Sequence, residues 1–183
     1  MQAPSGHMTA PALRALLKDG ALAGEWVLDP RRSSIRLKSK VMVLAPVNGV
    51  FRQVRGNGTV FPTGKVSGTL TVAAASIDTS NARRDTHLRS ADFFDSANHP
   101  DITFTAEAVR PSGEGVAVTG ALTVRGRTRP LSFEAGASVQ GDGQIWLDAE
   151  ARINRADFGL TWNLLGMVSM HNTLTVHAVF TRR

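Results

Sequence analysis

Strict alternation of apolar and polar residues is the feature of this chain that most limits its fold. Between Ser33 and Lys40, Ile35 and Leu37 alternate with Arg36, Lys38 and Lys40. Between Asp101 and Val109, Ile102, Phe104, Ala106 and Ala108 alternate with Thr103, Thr105 and Glu107. Val116, Val118, Gly120, Leu122 and Val124 share a parity, as do Leu131, Phe133, Ala135, Ala137 and Val139. So do Ile145, Leu147, Ala149, Ala151 and Ile153, and Leu174, Val176, Ala178 and Phe180. Side chains two apart lie on one face of a strand, so each run reads as a strand with one dry and one wet face. Turn chemistry separates the runs: Arg55-Gly56-Asn57-Gly58, Pro62-Thr63-Gly64, Pro111-Ser112-Gly113, Arg125-Gly126-Arg127 and Gly141-Asp142-Gly143. About eight strands with short connections form an antiparallel meander, and closing it into a barrel removes the exposed edges.

Two segments depart from that period. Thr9–Asp19 predicts a short amphipathic helix, with Thr9 as cap, Leu13, Leu16 and Leu17 on one face, and Gly20 as stop. Asn81–Phe94 predicts a second helix between two strands, capped by Ser80 or Asn81. The stretch from Gly159 to His171 is apolar and irregular and fits neither period. At 183 residues the chain fits one domain. Residues 1–7 read as a vector-derived remnant, 8–23 as an N-terminal helical extension, and 24–183 as the barrel domain. The tract from Ala10 to Gly24 is cut by Arg14, Lys18 and Asp19, too charged for a secretory core or a membrane span. The expected location is therefore cytoplasmic.

The dry faces are unusual in size. Ala106, Ala108, Gly120, Ala135, Ala137, Ala149 and Ala151 share them with the large aliphatics. Close packing needs that space filled. An eight-stranded barrel is just wide enough to be filled by side chains or to hold one small ligand. Either an apolar ligand occupies this interior, or a helix or Trp26, Trp146 and Trp162 plug it; the residues leave both open.

The polar residues point to no chemistry. With no cysteine there is no disulfide frame, thiolate site or thiol nucleophile. His87, His99, His171 and His177 stand at no metal-ligand spacing. Asp78, Asp85, Asp92 and Asp95 are interleaved with Arg83, Arg84 and Arg89, the pattern of surface ion pairs and caps. Neither a cofactor nor a metal is expected. The net charge is +6, and from Arg31 to Ile77 there are eight Lys/Arg and no Asp or Glu. Arg36, Lys38 and Lys40 point to one wet face, an expected solvated edge or a surface for anionic headgroups or a membrane. Without interleaved aromatics for base stacking, nucleic acid is not expected.

Several motifs carry a resemblance. They are Trp26-Val27-Leu28-Asp29-Pro30, Val47-Asn48-Gly49-Val50-Phe51 and Ala75-Ser76-Ile77-Asp78-Thr79. They continue with Arg84-Asp85, His87-Leu88, Asp92-Phe93-Phe94-Asp95 and Pro100-Asp101-Ile102-Thr103-Phe104. Gly120-Ala121-Leu122-Thr123-Val124-Arg125-Gly126, Thr128, Pro130, Arg155 and Asp157-Phe158-Gly159 complete the order. Over about residues 25–180 the chain resembles the YceI-like, polyisoprenoid-binding family. The resemblance implies an extended lipocalin-like barrel with a helix between two strands and a long apolar pocket for polyprenyl, quinone-like or other long lipids. It also implies frequent homodimers and no catalytic constellation. Two departures stand out: many relatives are exported, and Val41 stands where many carry a histidine after the first strand. In the matched region, Arg84 and Asp85 are expected to pair and lock the helix to the barrel.

The expected function is binding of a long isoprenoid, quinone-like or acyl chain for storage or transfer, without catalysis. The expected lining is Leu37, Phe51, Leu70, Val72, Phe93, Ile102 and Phe104. Leu122, Phe133, Leu147, Phe158, Trp162 and Val176 complete it. Arg125 and Arg127 are the candidates for a headgroup at the mouth. One alternative is an enzyme acting on a lipid through Asp85 or His87. Another is a regulatory module docking an anionic partner through the basic strand.

Overall fold

A computed structural model describes residues 8–41, 45–141, 143–163 and 166–183. Eleven strands are described: β1 (Gly24–Leu28), β2 (Ser34–Val41), β3 (Val47–Phe51), β4 (Val54–Val60), β5 (Val66–Ala73) and β6 (Ile77–Asp78). After them come β7 (Asp101–Ser112), β8 (Gly115–Val124), β9 (Arg127–Gln140), β10 (Gln144–Asn154) and β11 (Val168–Arg182). Every pairing is antiparallel, and β1–β4–β5–β7–β8–β9–β10–β11 closes on itself through β1–β11. That ring is an eight-stranded barrel, as the alternation and turn spacing predict. Residues 1–7 lie outside the described residues.

Three of its walls are broken strands. β1 runs on into β2, β3 into β4, and β5 into β6, and the pieces pair in step: β1 with β4 and β4 with β5, then β2 with β3 and β3 with β6. The breaks are held by side chains that replace ladder bonds. Ser33 Oγ accepts from Val179 N–H at 3.0 Å, and Ser76 Oγ accepts from Gln53 N–H at 3.1 Å. Bending here lets long strands wrap a barrel that is wide at one end and narrow at the other.

Gly56-Asn57-Gly58 lies inside β4, not at a hairpin. A Cβ at Gly56 would stand 2.9 Å from Thr69 O, and one at Gly68 only 2.8 Å from Asn57 O. Glycine here allows two backbones to approach closely, its other common use in strands. The turn at Pro62-Thr63-Gly64 joins β4 to β5 as predicted, and Gly126 at φ +69 closes the β8–β9 hairpin. Asp142 of the expected turn Gly141-Asp142-Gly143 lies outside the described residues.

β7 carries a bulge. Ala106 faces Gly120, yet Ala108 faces Thr119, leaving Glu107 as the extra residue. One inserted residue inverts the parity beyond it. Ala108 therefore leaves the dry face on which simple alternation placed it, and Val109 takes the inward position opposite Val118.

Helix α1 (Ala10–Lys18) matches its expected span, and Gly20 N–H reaches Leu17 O at φ +68 where the helix stops. Helix α2 (Ala82–Arg89) is shorter than expected. Asn81 Oδ1 caps it by accepting from Arg84 N–H at 3.0 Å, but it ends before Ser90, and Phe93 and Phe94 turn into the core. Burying two adjacent phenyl rings outweighs one more helical turn. Residues 160–163 form no helix or strand, and β11 begins at Val168. No described helix is long and apolar enough to cross a membrane.

Candidate ligand-binding site

The barrel interior divides into two chambers of different character. The wider one, about 190 Å³, is walled by β1, β4, β5 and the adjoining halves of β7–β11. Small side chains create it: Ala106, Ala135, Ala137 and Ala149 lie on its wall, with Ala135 directly opposite Ala149. Its surface presents almost no polar atom. The narrower chamber, about 30 Å³, lies at the other end among Phe51, Phe93, Phe94, Phe158 and Leu160. A cross-strand row, Leu70–Phe104–Leu122 on β5, β7 and β8, stands between them.

Helix α1 covers the wide chamber. Leu13 is 4% exposed and packs against Val116, Val118, Ala135 and Ala137. Leu17 and Leu22 also line the chamber, beside Trp26. The segment is tied at both ends. Met8 N–H donates to Ala137 O and Ala10 N–H to Gly113 O, each at 2.7 Å. Arg182 donates to Ala21 O at 2.7 Å and lies over the Trp26 ring. Apart from the Lys18–Asp19 end, α1 puts its apolar face inward, as an amphipathic helix must.

Opposite, α2 and its loop close the narrow end. Thr79 organises it: its hydroxyl donates to Asp85 Oδ1, its N–H donates to the same oxygen at 3.0 Å, and Arg84 Nε donates to the hydroxyl at 2.7 Å. Arg84 and Asp85 therefore do not pair with each other as expected; both grip Thr79, whose hydroxyl can donate and accept at once. His87 lies 3.7 Å from Asp92 and edge-on to Trp162.

Arg155 is the one fully buried cation, 1% exposed, among the described residues. Its Nε donates to Ser169 O at 3.0 Å, and Nη1 donates to Leu160 O at 2.6 Å and Trp162 O at 2.7 Å. Nη2 reaches Val168 O at 3.5 Å. The guanidinium lies 5.7 Å from the Phe93 ring centre. It thus ties the carbonyls of Leu160 and Trp162 to those at the start of β11, and burial pushes its pKa below the ordinary arginine value.

The predicted lining residues fall in both chambers. Leu70, Phe104, Phe133, Leu147 and Val176 border the wide one; Leu37, Phe51, Phe93, Ile102, Leu122 and Phe158 border the narrow one. Val72 is packed in the core beside the narrow chamber and borders neither. Trp162 is 40% exposed, so it neither lines nor plugs the interior. Arg125 and Arg127 sit at the β8–β9 turn by α2, at the end of β8 remote from α1. Arg125 Nη1 donates to Phe93 O and Arg127 lies against Gly159. Arg36, Lys38 and Lys40 face solvent, as predicted. Of the small residues, Gly120 makes no room: the Phe104 ring and the Thr105 carbonyl fill it. Ala151 is buried without bordering either chamber.

Sequence reasoning missed Leu17, Leu22, Val60 and Val109 of the wide wall, and Arg155 and Asn172 of the narrow one. The apolar face of α1 was a usable signal for Leu17. A lone arginine gives none, because most arginines are exposed.

Comparison with known proteins agrees with this architecture. Burkholderia cenocepacia BcnA superposes with a TM-score of 0.76 at 23% identity, covering 83% of this chain and 98% of its own. A polyisoprenoid-binding domain from Saccharophagus degradans superposes at 0.70 with 15% identity, covering 86% and 98%. Protein YceI of Escherichia coli O157:H7 is 39% identical over 100 residues, 52% of this chain and 52% of its own length. The chain thus spans about half the length of the curated relatives it matches. The family model for the YceI-like domain matches residues 26–180. That span takes in all or most of every barrel strand and leaves out α1, and the chain belongs to the YceI-like family.

Proposed function

We propose that this chain binds the apolar chain of an isoprenoid or acyl lipid in its wide chamber and holds it without reacting it. The observation that carries this reading is a hollow of about 190 Å³ with an almost wholly apolar wall inside a closed barrel. Burial of hydrocarbon there gains about 25 cal/mol per Å² with no specific polar contact. The polyisoprenoid-binding domain among its structural relatives supports the same ligand class. Asp85 and His87 border neither chamber, which favours binding over catalysis.

Size sets how binding proceeds. A dry cavity of about 150 Å³ takes a benzene-sized body, so a hollow of this order holds one or two five-carbon units at most. A longer chain is accommodated when α1 lifts, because α1 forms the side of the chamber that is not barrel wall. Storage and transfer then share one step, the movement of α1.

Native mass spectrometry of the chain incubated with geranylgeraniol tests this, alongside titration with the neutral apolar dye N-phenyl-1-naphthylamine. The expected result is a one-to-one complex and dye fluorescence that geranylgeraniol displaces. Absence of both, with the fold intact, would overturn the reading.

A further inference from the structure

The narrow chamber holds polar atoms that the fold leaves unused. Asn172 is 4% exposed and borders this chamber, and its Oδ1 has no hydrogen-bond partner. Ser39, directly opposite Asn172 on β2, has a buried Oγ without a partner. A guanidinium offers five N–H groups. Arg155 commits three of them at 2.6–3.0 Å and one to Val168 O at 3.5 Å, so one on Nη2 is free. No carboxylate among the described residues pairs with Arg155, whose positive charge is met by carbonyl dipoles and the Phe93 ring face and by no opposite charge. Orphaned polar atoms are rare in a folded interior and are costly to keep. Arg155 and Asn172 both border this chamber, and Ser39 lies across the ladder from Asn172.

We propose that Arg155, Asn172 and Ser39 form a subsite for the carboxylate head of a single-chain acid, whose chain runs toward the wide chamber. The proposal rests on the apolar-chain reading above and adds the head group. An anion meets the free Nη2 N–H and balances the buried charge; a neutral head would leave that charge as it is. Ser39 Oγ–H donates to the same oxygens. The Asn172 amide turns to present its N–H groups in place of Oδ1, and rotation about that terminal torsion is easy. The chamber's 30 Å³ is room for about two water-sized groups, the number of oxygens in a carboxylate. The acid passes the row Leu70–Phe104–Leu122 when the Phe104 ring, now tilted against Phe133 at 5.3 Å, swings aside. The simpler occupant is a pair of buried waters, and the experiment separates the two.

Palmitic acid, hexadecanol and hexadecane share one chain length and differ only in the head. Each is titrated against N-phenyl-1-naphthylamine bound to the full chain, in wild type, Asn172→Leu and Ser39→Ala, with thermal unfolding checking each fold. On the wild type, palmitate is expected to displace the dye at concentrations at least about tenfold below hexadecanol, as a charge-assisted bond requires. In Asn172→Leu that advantage is expected to shrink to about threefold or less, and in Ser39→Ala it shrinks less far. If Asn172→Leu does not fold, Ser39→Ala decides alone. The carboxyl carbon of labelled palmitate gives a second reading by NMR: bound, it titrates below its value in solution. Equal displacement by acid and alcohol on the wild type, or an advantage that both variants leave intact, would overturn the subsite while the apolar-chain reading stands. No displacement by any of the three, with no dye bound, would instead overturn that reading itself.

Discussion

The two ends of this barrel solve the same problem in opposite ways. Each must close an apolar interior against water. At the α2 end the chain fills the space: Phe51, Phe93 and Phe94 meet edge to face at 5.0 and 6.0 Å, and Phe158 and Leu160 complete the packing. At the α1 end it uses alanines on the strands and leaves the filling to a separate helix. The difference shows in which strand pieces build each end. β1, β4 and β5 wall the hollow, and β2, β3 and β6 wall the packed half, with the breaks near Ser33, Gln53 and Ser76 marking the seam. Helix α1 lies outside the family span.

The largest expected effect falls on the packed end. Phe94→Ala is predicted to cost about 3–5 kcal/mol, the usual loss for a buried phenylalanine whose site cannot collapse. A urea midpoint hardly changed from wild type would mean that this end is as loose as the other. Gly120→Ala follows. A Cβ there would stand only 2.7 Å from the Phe104 ring and closer still to a backbone carbonyl, so about 2–3 kcal/mol is expected. Since Phe104 borders the wide chamber, the same substitution should also reduce dye binding.

The hollow end should respond in function more than in stability. Leu17 and Gly64 lend themselves to a tether, because a Cβ built on Gly64 lies 3.6 Å from Leu17 Cβ, within the range a disulfide spans. The chain has no cysteine of its own, so Leu17→Cys with Gly64→Cys gives one defined bond. Oxidised, it should slow uptake of a long isoprenoid by about tenfold or more, and reduction should restore the rate. Gly64 has φ +80, so the double variant will be somewhat less stable in both redox states, which makes the rate the readout and not the melting point. Uptake that ignores the tether would show that ligands do not pass α1. Ala149→Leu is predicted to change stability within about 1 kcal/mol, unlike ordinary overpacking, because its added carbons enter existing space. It should abolish dye binding, and a destabilisation as large as that of Gly120→Ala would deny that the space is there.

How much of this contrast the sequence carried differs by residue. The alternation from β8 to β11 was legible because each dry side chain meets another across the ladder, and period two is the mark such pairing leaves. The bulge at Glu107 was not, because Ala106-Glu107-Ala108 alternates in sequence whether or not a residue is skipped. Gly56 and Gly58 misled because glycine serves tight turns and close backbone approaches alike. The α1 stripe of Leu13, Leu16 and Leu17 was visible, yet what it covers depends on distant alanines on β9 and β10. Arg155 was hidden for a different reason: its partners are backbone carbonyls, which any residue supplies and no sequence pattern marks. The chambers arise from which large side chains share a level in the barrel, information that only register supplies.

The smallest predicted effect lies on the seam itself. Asp29 turns β1 into β2, and Arg32 Nε donates to its Oδ2 at 2.8 Å while Arg31 N–H donates to Oδ1 at 2.9 Å. The Arg32 guanidinium, first among the causes, holds the Asp29 carboxyl below the ordinary carboxylate value. A carboxylate with a depressed folded-state pKa stabilises the fold above its unfolded value and stops doing so as pH falls through the folded one. Asp29→Asn should therefore cost about 0.5 kcal/mol at neutral pH, the order of a partly exposed ion pair, and progressively less in strong acid. Urea unfolding of wild type and variant at neutral pH and in strong acid measures the difference. A gap that persists in acid would show that the bend is held by geometry an asparagine cannot supply, and not by charge. The two halves would then be hinged by shape alone.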